Sequence, residues 1–171
     1  MPFTPFHMGP GLLTKSILHS AFSLMVFGWT QIVMDLQPLF VLLTGEGHLH
    51  GFSHTFVGGA LIACFCAITG KYLTPWALKQ VPGHERLPFR VYVSWPVAIL
   101  SACIGAISHV LLDAIMHSDV QPFFPFSLSN PWLLWVDVGL LHKLCLYSGL
   151  VGAFLYVLVA AWSHRRTSAN F

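Results

Sequence analysis

Charge is what this sequence has least of. Its 171 residues include eight Lys and Arg and six Asp and Glu, 8% in all, where a typical soluble domain carries about 25%. So few ionised groups cannot cover a water-soluble globule of this length, which excludes a soluble monomer, and the apolar content excludes a disordered chain. A net charge of +2, with no basic run longer than Arg165-Arg166, excludes a nucleic-acid partner. Cysteine is scarce too. Cys64, Cys66, Cys103 and Cys145 all lie in apolar runs, and the C-x-C spacing of the first two turns them about 200° apart on a helix. They read as packing residues rather than a chelate or a disulfide framework. There is no G-x-S-x-G nucleophile turn and no glycine-rich phosphate loop. Nothing positive precedes the first apolar stretch and no small-residue cleavage site follows it, so no cleaved signal peptide is expected.

Apolar residues, by contrast, make up 56% of the chain. Four stretches, 11–34, 55–73, 91–116 and 132–162, are long enough to cross a hydrocarbon core, which takes about 20 helical residues. The expected fold is all-α: a polytopic membrane helical bundle over 1–171 as a single domain, with four main membrane helices and a short N-terminal amphipathic helix. The first stretch holds Lys15 and His19 and is interrupted by Gly28. It therefore divides into a short helix near 11–19 and a membrane helix near 21–36, ended by Pro38 and the Gly45-Glu46-Gly47 turn. Ser129-Asn130-Pro131 predicts the start of the fourth helix, and Pro96 falls near the start of the third, where its missing N–H costs little. The loop between the second and third helices carries Lys71, Lys79, Arg86 and Arg90, and the tail carries Arg165 and Arg166. The positive-inside rule puts both in the cytoplasm, so connections 35–54 and 117–131 face outward.

Histidine is the anomaly: ten residues, more than all Lys and Arg together. Ionisable groups at membrane depth are costly and mark function. In SHVLLDAIMHSD, residues 108–119, His109, Asp113 and His117 are spaced i, i+4, i+8 and share one helical stripe. Neighbours one turn apart can hold one metal ion, and imidazole with carboxylate suits Zn, Mn or Fe. In HLHGFSHT, His50 and His54 stand at the outer entrance of the second helix, with His48 in the loop before them. Asp35, in VMDLQP, closes the first membrane helix, and His7 sits in the irregular N-terminus. Asp35, His50, His54, His109, Asp113 and His117 all fall at one membrane face. They can hold one or two divalent ions, zinc first among them, with a position open for water. Asp35 or Asp119 can take that water's proton. His142 and Lys143 either face this site or pair with Asp137. The bland alternative for the stripe is a polar network that ties helices together.

These residues resemble the bacterial inner-membrane metal-dependent hydrolase family. The resemblance lies in His7 of PFTPFHMGPG, Asp35 of MDLQPL, His50 and His54 of LHGFSHT, and SHVLLDAIMHSDVQPFFPFS at 108–127, and it covers most of residues 1–127. The family has a distant likeness to zinc-dependent phospholipase C. The resemblance implies a phosphoester hydrolase, and it implies that His7 returns to the outer face to join the site. Two positions depart from the family's habit: Gln37, where a second acidic residue is common, and Gly51, where Arg is common. A site at the lipid interface points to a lipid or lipid-linked substrate. The rivals are a metal-transport or metal-binding protein and a haem bundle. The apolar inner halves of helices two and three (60–68 and 97–104) disfavour a conducting path, and haem leaves the carboxylates unexplained.

Overall fold

The computed structural model describes residues 5–80, 82 and 92–168, and every regular element among them is helical. The helices are α1 (Met8–Leu18), α2 (Leu24–Met34), α3 (Leu36–Thr44), α4 (Phe56–Lys79), α5 (Trp95–Met116) and α6 (Val138–Ser168). Leu24–Thr44, Phe56–Lys79, Trp95–Met116 and Val138–Trp162 are each long and apolar enough to cross a membrane. This is the expected bundle of four with a short N-terminal helix.

Its polarity is that of a membrane protein. Small residues lie inside: Ala63 and Ala67 of α4 pack with Ala98, Ala102 and Ala106 of α5 and Val26 of α2. Large apolar side chains such as Leu61, Phe65, Ile99, Ile107, Leu150 and Phe154 point outward. Where the surroundings are as apolar as leucine, close approach of backbones is what holds helices together, so small residues belong at the contacts.

The N-terminal part is a helical hairpin. α1 and α2 have 11 residues each, about 16 Å, or half a hydrocarbon core. His19, at φ 46°, reverses the chain. Lys15 Nζ closes the turn by donating to the carbonyl oxygens of His19 and Phe22, both at 2.7 Å. Ser23 then caps α2 through its side chain, and its N–H donates to Ser101 Oγ of α5 at 2.8 Å. The hairpin brings His7, just before α1, and Asp35, just after α2, to the same end of the bundle.

Four sequence expectations are corrected. Pro38 does not end the first span. The helix breaks at Asp35 alone and restarts, so Pro38 falls in the first turn of α3, where its ring is tolerated. The span runs on to Gly45, whose left-handed φ of 74° and N–H to Val41 O bond close it. Second, α6 starts at Val138, not near 132. Asn130 instead closes the end of α5, its Nδ2 donating to Ala114 O at 2.7 Å. The α6 cap is Asp137, whose Oδ1 accepts from Leu140 N at 3.0 Å. Third, α4 continues past Pro75 to Lys79, so Lys71 is not in a loop. It is buried, donates to Val93 O at 2.8 Å and lies 4.5 Å from the Tyr92 ring centroid. Arg86 and Arg90 lie outside the described residues, as do the side chains of Arg165 and Arg166. Fourth, α1 starts at Met8, before the expected position 11.

Lys71→Met leaves the Val93 carbonyl without its charged donor. It is expected to lower stability in detergent by about 1–3 kcal/mol, read as a thermal midpoint, with Lys71→Arg closer to wild type. An unchanged midpoint would show that the ammonium adds nothing there.

Candidate metal centre

α5 carries His109 and Asp113 one turn apart, both buried. Asp113 Oδ2 lies 3.2 Å from His109 Nε2 and 3.1 Å from His54 Nε2, and the two imidazole nitrogens are 3.2 Å apart. Asp35 Oδ1 is 3.5 Å from His109 Nε2. His54 is held by a 3-10 turn, Phe52–His54, whose last N–H donates to Gly51 O at 3.0 Å. Asp35 enters from the α2–α3 break. The four ligand atoms of Asp35, His54, His109 and Asp113 all lie within 4.8 Å of one another.

The hydrogen bonds behind the ligand atoms set their protonation. Gln31 Nε2 donates to Gly105 O at 3.0 Å, which leaves its Oε1 to accept from His109 Nδ1 at 2.8 Å. The proton of neutral His109 is therefore on Nδ1, and the Nε2 lone pair faces the cluster. His54 Nδ1 lies 2.9 Å from Ser53 Oγ, which likewise leaves Nε2 inward. Such outer partners are how metal-ligating imidazoles are normally oriented.

The set fits a divalent cation. Ligand atoms 2.0–2.1 Å from a tetrahedral zinc are about 3.3 Å apart; the separations among His54, His109 and Asp113 and from Asp35 to His109 run from 3.1 to 3.5 Å, and all four atoms lie within 4.8 Å of one another. Two carboxylates, two neutral imidazoles and one divalent ion sum to zero charge, so an ion in this position leaves no uncompensated charge buried there.

A second set of ligands faces the other oxygen of Asp113. Its Oδ1 is 3.3 Å from His7 Nε2 and 3.9 Å from His117 Nε2. His7 is buried; neither of its ring nitrogens makes a well-aligned hydrogen bond among the described residues, and Nε2 has only its 3.3 Å approach to Asp113. A buried imidazole so placed is costly, and a cation beside Asp113 Oδ1 would remove the cost. The His117 ring stacks on His50 at 4.2 Å. His50 Nδ1 meets the Asp119 carboxylate at 2.9 Å, leaving its Nε2 free to act. His50, His117 and Asp119 form a further group of potential ligands.

The structure thus gathers His7, Asp35, His50, His54, His109, Asp113, His117 and Asp119 at one end of the bundle. His50 and His54 precede α4, at its entrance as expected, whereas His117 does not share the stripe of α5. His117 lies just past the end of α5, in extended backbone at φ −120°, ψ 126°. His142 does not join: its ring packs on Phe6 at 4.8 Å. Lys143 is exposed. Gln31 was missed by sequence reasoning, and its only signal was an amide inside an apolar helix. The two departing positions are neighbours: a Cβ on Gly51 would collide with the Gln37 amide, whose Oε1 accepts from Ser53 N at 2.9 Å.

Burial pushes the His54 pKa down, and burial followed by the neighbouring His50 does the same to His117. Burial pushes Asp119 up, but the His50 hydrogen bond and charge outweigh it and hold the carboxyl below its usual range. A histidine held below its unperturbed 6.5 keeps its lone pair at pH 7 and protonates only in more acid solution. Protonation of His54 and His117 is therefore expected to weaken metal binding only below about pH 6.5, read as zinc content between pH 7 and 5. Zinc content unchanged across that range would contradict it. Gln31→Leu removes the acceptor that sets the His109 tautomer. It is expected to weaken zinc affinity about 10- to 100-fold, measured by competition with a chromophoric chelator; unchanged affinity would sink this role.

The segment from Gln121 to Trp135 covers this end. Phe56 N donates to Pro122 O at 2.9 Å, and Phe56 and Trp132 rings pack at 5.8 Å. Outside, Phe126, Leu128 and Trp135 are 87%, 67% and 72% exposed, an apolar rim whose Phe and Trp are of the kind that sits at a membrane interface. Comparison of the chain with protein-family models, with curated proteins and with solved structures found no match.

Proposed function

We propose that this is a membrane-embedded, zinc-dependent hydrolase of phosphoester or other ester bonds in a lipid or lipid-linked substrate. The observation that carries this is Asp113, a buried carboxylate with imidazoles converging on both oxygens. Asp35, His54, His109 and Asp113 offer four ligands and make a closed first position. His7, His117 and Asp113 Oδ1 offer three at a second, which leaves room for water or substrate. Divalent cations held by these residues would supply positive charge to polarise an ester oxygen and acidify water.

The chain's own groups do the rest. Gln31 keeps the Nε2 lone pair of His109 inward, and Ser53 holds the His54 ring with Nε2 turned to the cluster. Of the two carboxylates weighed as proton acceptor, Asp35 lies among the ligands, whereas Asp119 stands at the rim on His50 Nδ1. Asp119 orients that ring, and His50 Nε2 is the atom placed to take a proton and pass it to solvent. The apolar rim supports a substrate that arrives from the membrane. The resemblance and the Lys and Arg distribution support a multi-pass protein of the bacterial inner membrane with the site on the extracytoplasmic side. Impermeant labelling of Gln80→Cys in a cysteine-free background should need permeabilised cells; labelling of intact cells would place the site in the cytoplasm.

The activity test uses purified, zinc-loaded protein in detergent with phospholipids, lipid-linked phosphates and p-nitrophenyl phosphate. Turnover is expected in wild type and not in His54→Ala. A protein that holds zinc but cleaves none of a broad ester panel is a structural metalloprotein, and the hydrolase reading fails.

A further inference from the structure

An apolar groove of about 660 Å³ runs between α2 and the half of α4 remote from the site. Its site end is formed by Asp35 and Gln31, and its far end by Leu24 and Trp76. Met25 and Ile32 make one wall and Leu73 part of the other, and Asp35 is the only charged residue in the lining. Gly28 and Gly70 also line the groove, where a larger side chain would take up space. From Leu24 to Asp35 the helical rise is about 16 Å, and the volume is that of a site for a small organic ligand.

Resting on the hydrolase reading, we propose that this groove is the chain subsite of the metal centre. One linear hydrocarbon chain of an ester lipid lies along α2 and delivers its polar head to Asp35. Two features select that occupant. Both walls belong to helices long and apolar enough to cross a membrane, so the ligand at hand is hydrocarbon, not water. And the groove joins the cluster: Gln31 bonds His109, and Asp35 faces His109 Nε2. A second apolar groove, about 260 Å³ between α4 and α5, is lined by residues such as Ala60, Cys103 and Ile107 and by no member of the cluster. It has the walls but not the connection.

The test fills the groove without touching a ligand. A Cβ on Gly28 would meet only the flexible Met8 side chain, its Cε at 3.3 Å, so Gly28→Leu should fold and bind zinc as wild type. Ile32→Trp fills the groove from another position and serves if the first variant loses zinc or stability. Photo-crosslinking with a phospholipid that carries a diazirine in its acyl chain gives a readout independent of turnover. In wild type, crosslinks to Met25 and Ile32 should saturate and be displaced by unlabelled lipid; Gly28→Leu should lose them. The ratio of long-chain to short-chain ester turnover should fall about tenfold or more in the same variant. Crosslinking that is neither saturable nor altered by Gly28→Leu or Ile32→Trp overturns the subsite. Saturable crosslinking lost in the variants, in a protein that cleaves no ester, supports the subsite and overturns the hydrolase reading alone.

Discussion

Asp113→Ala is expected to leave a protein that neither retains zinc nor hydrolyses ester. Asp113 faces both ligand sets: Oδ2 lies 3.1 and 3.2 Å from His54 and His109, Oδ1 3.3 and 3.9 Å from His7 and His117. Removing an outer partner of a ligating imidazole costs about 10- to 100-fold in affinity. Removing a ligand shared by both positions should cost more than about 100-fold. Asp113→Asn keeps one oxygen and the shape but puts an N–H₂ against one pair of lone pairs, so it should fall between. Metal analysis of purified protein reads the loss directly. Thermal unfolding reads it independently: zinc at 100 times its dissociation constant stabilises wild type by about 2.7 kcal/mol, and that increment should vanish in Asp113→Ala. A variant with wild-type zinc content and a zinc-dependent midpoint would mean that the cluster around Asp113 is a hydrogen-bonded tie between helices.

What was legible in the sequence is what a single helix can encode. His109 and Asp113 are one turn apart, and helical geometry alone puts them on one face. The four spans follow from run length, and the division of the first stretch follows from Lys15 and His19, the two residues at the hairpin's turn. What was illegible depends on partners distant in the chain. Lys71 reads as a loop cation until the Val93 carbonyl and the Tyr92 ring are brought to it. Asn130-Pro131 reads as a helix start, yet Asn130 is drawn off by the end of α5. Pro38 reads as a stop, because nothing local reveals that Asp35 breaks the helix three residues earlier and makes Pro38 a first-turn residue. Gln31 is a lone amide in an apolar run, and its role exists only because Gly105 O fixes which end of the amide meets His109.

Gly152→Leu, far from any ligand, is expected to strip His7 from the site. α1 lies against α6 with no side chain between them at three points. A Cβ on Gly9 would collide with the Cys145 carbonyl, one on Gly149 would lie 3.1 Å from Gly9 Cα, and one on Gly152 would collide with the backbone of Leu12 and Leu13. Backbone cannot swing aside as a side chain can, so a leucine at 152 must push α1 off α6. Overpacking of this kind costs about 1–3 kcal/mol. The larger effect is on the site, because α1 begins one residue after His7 and carries it. Asp35, His54, His109 and Asp113 are held by α2, α4 and α5 and should keep their ion, while the second position loses a ligand. His7→Ala is the matched comparison: it should lose the same share of bound zinc and the same turnover, but with α1 still seated and without the stability cost. If Gly152→Leu keeps wild-type zinc content while His7→Ala loses part of it, then α1 does not need α6 to place His7, and the close packing of the two helices serves stability only.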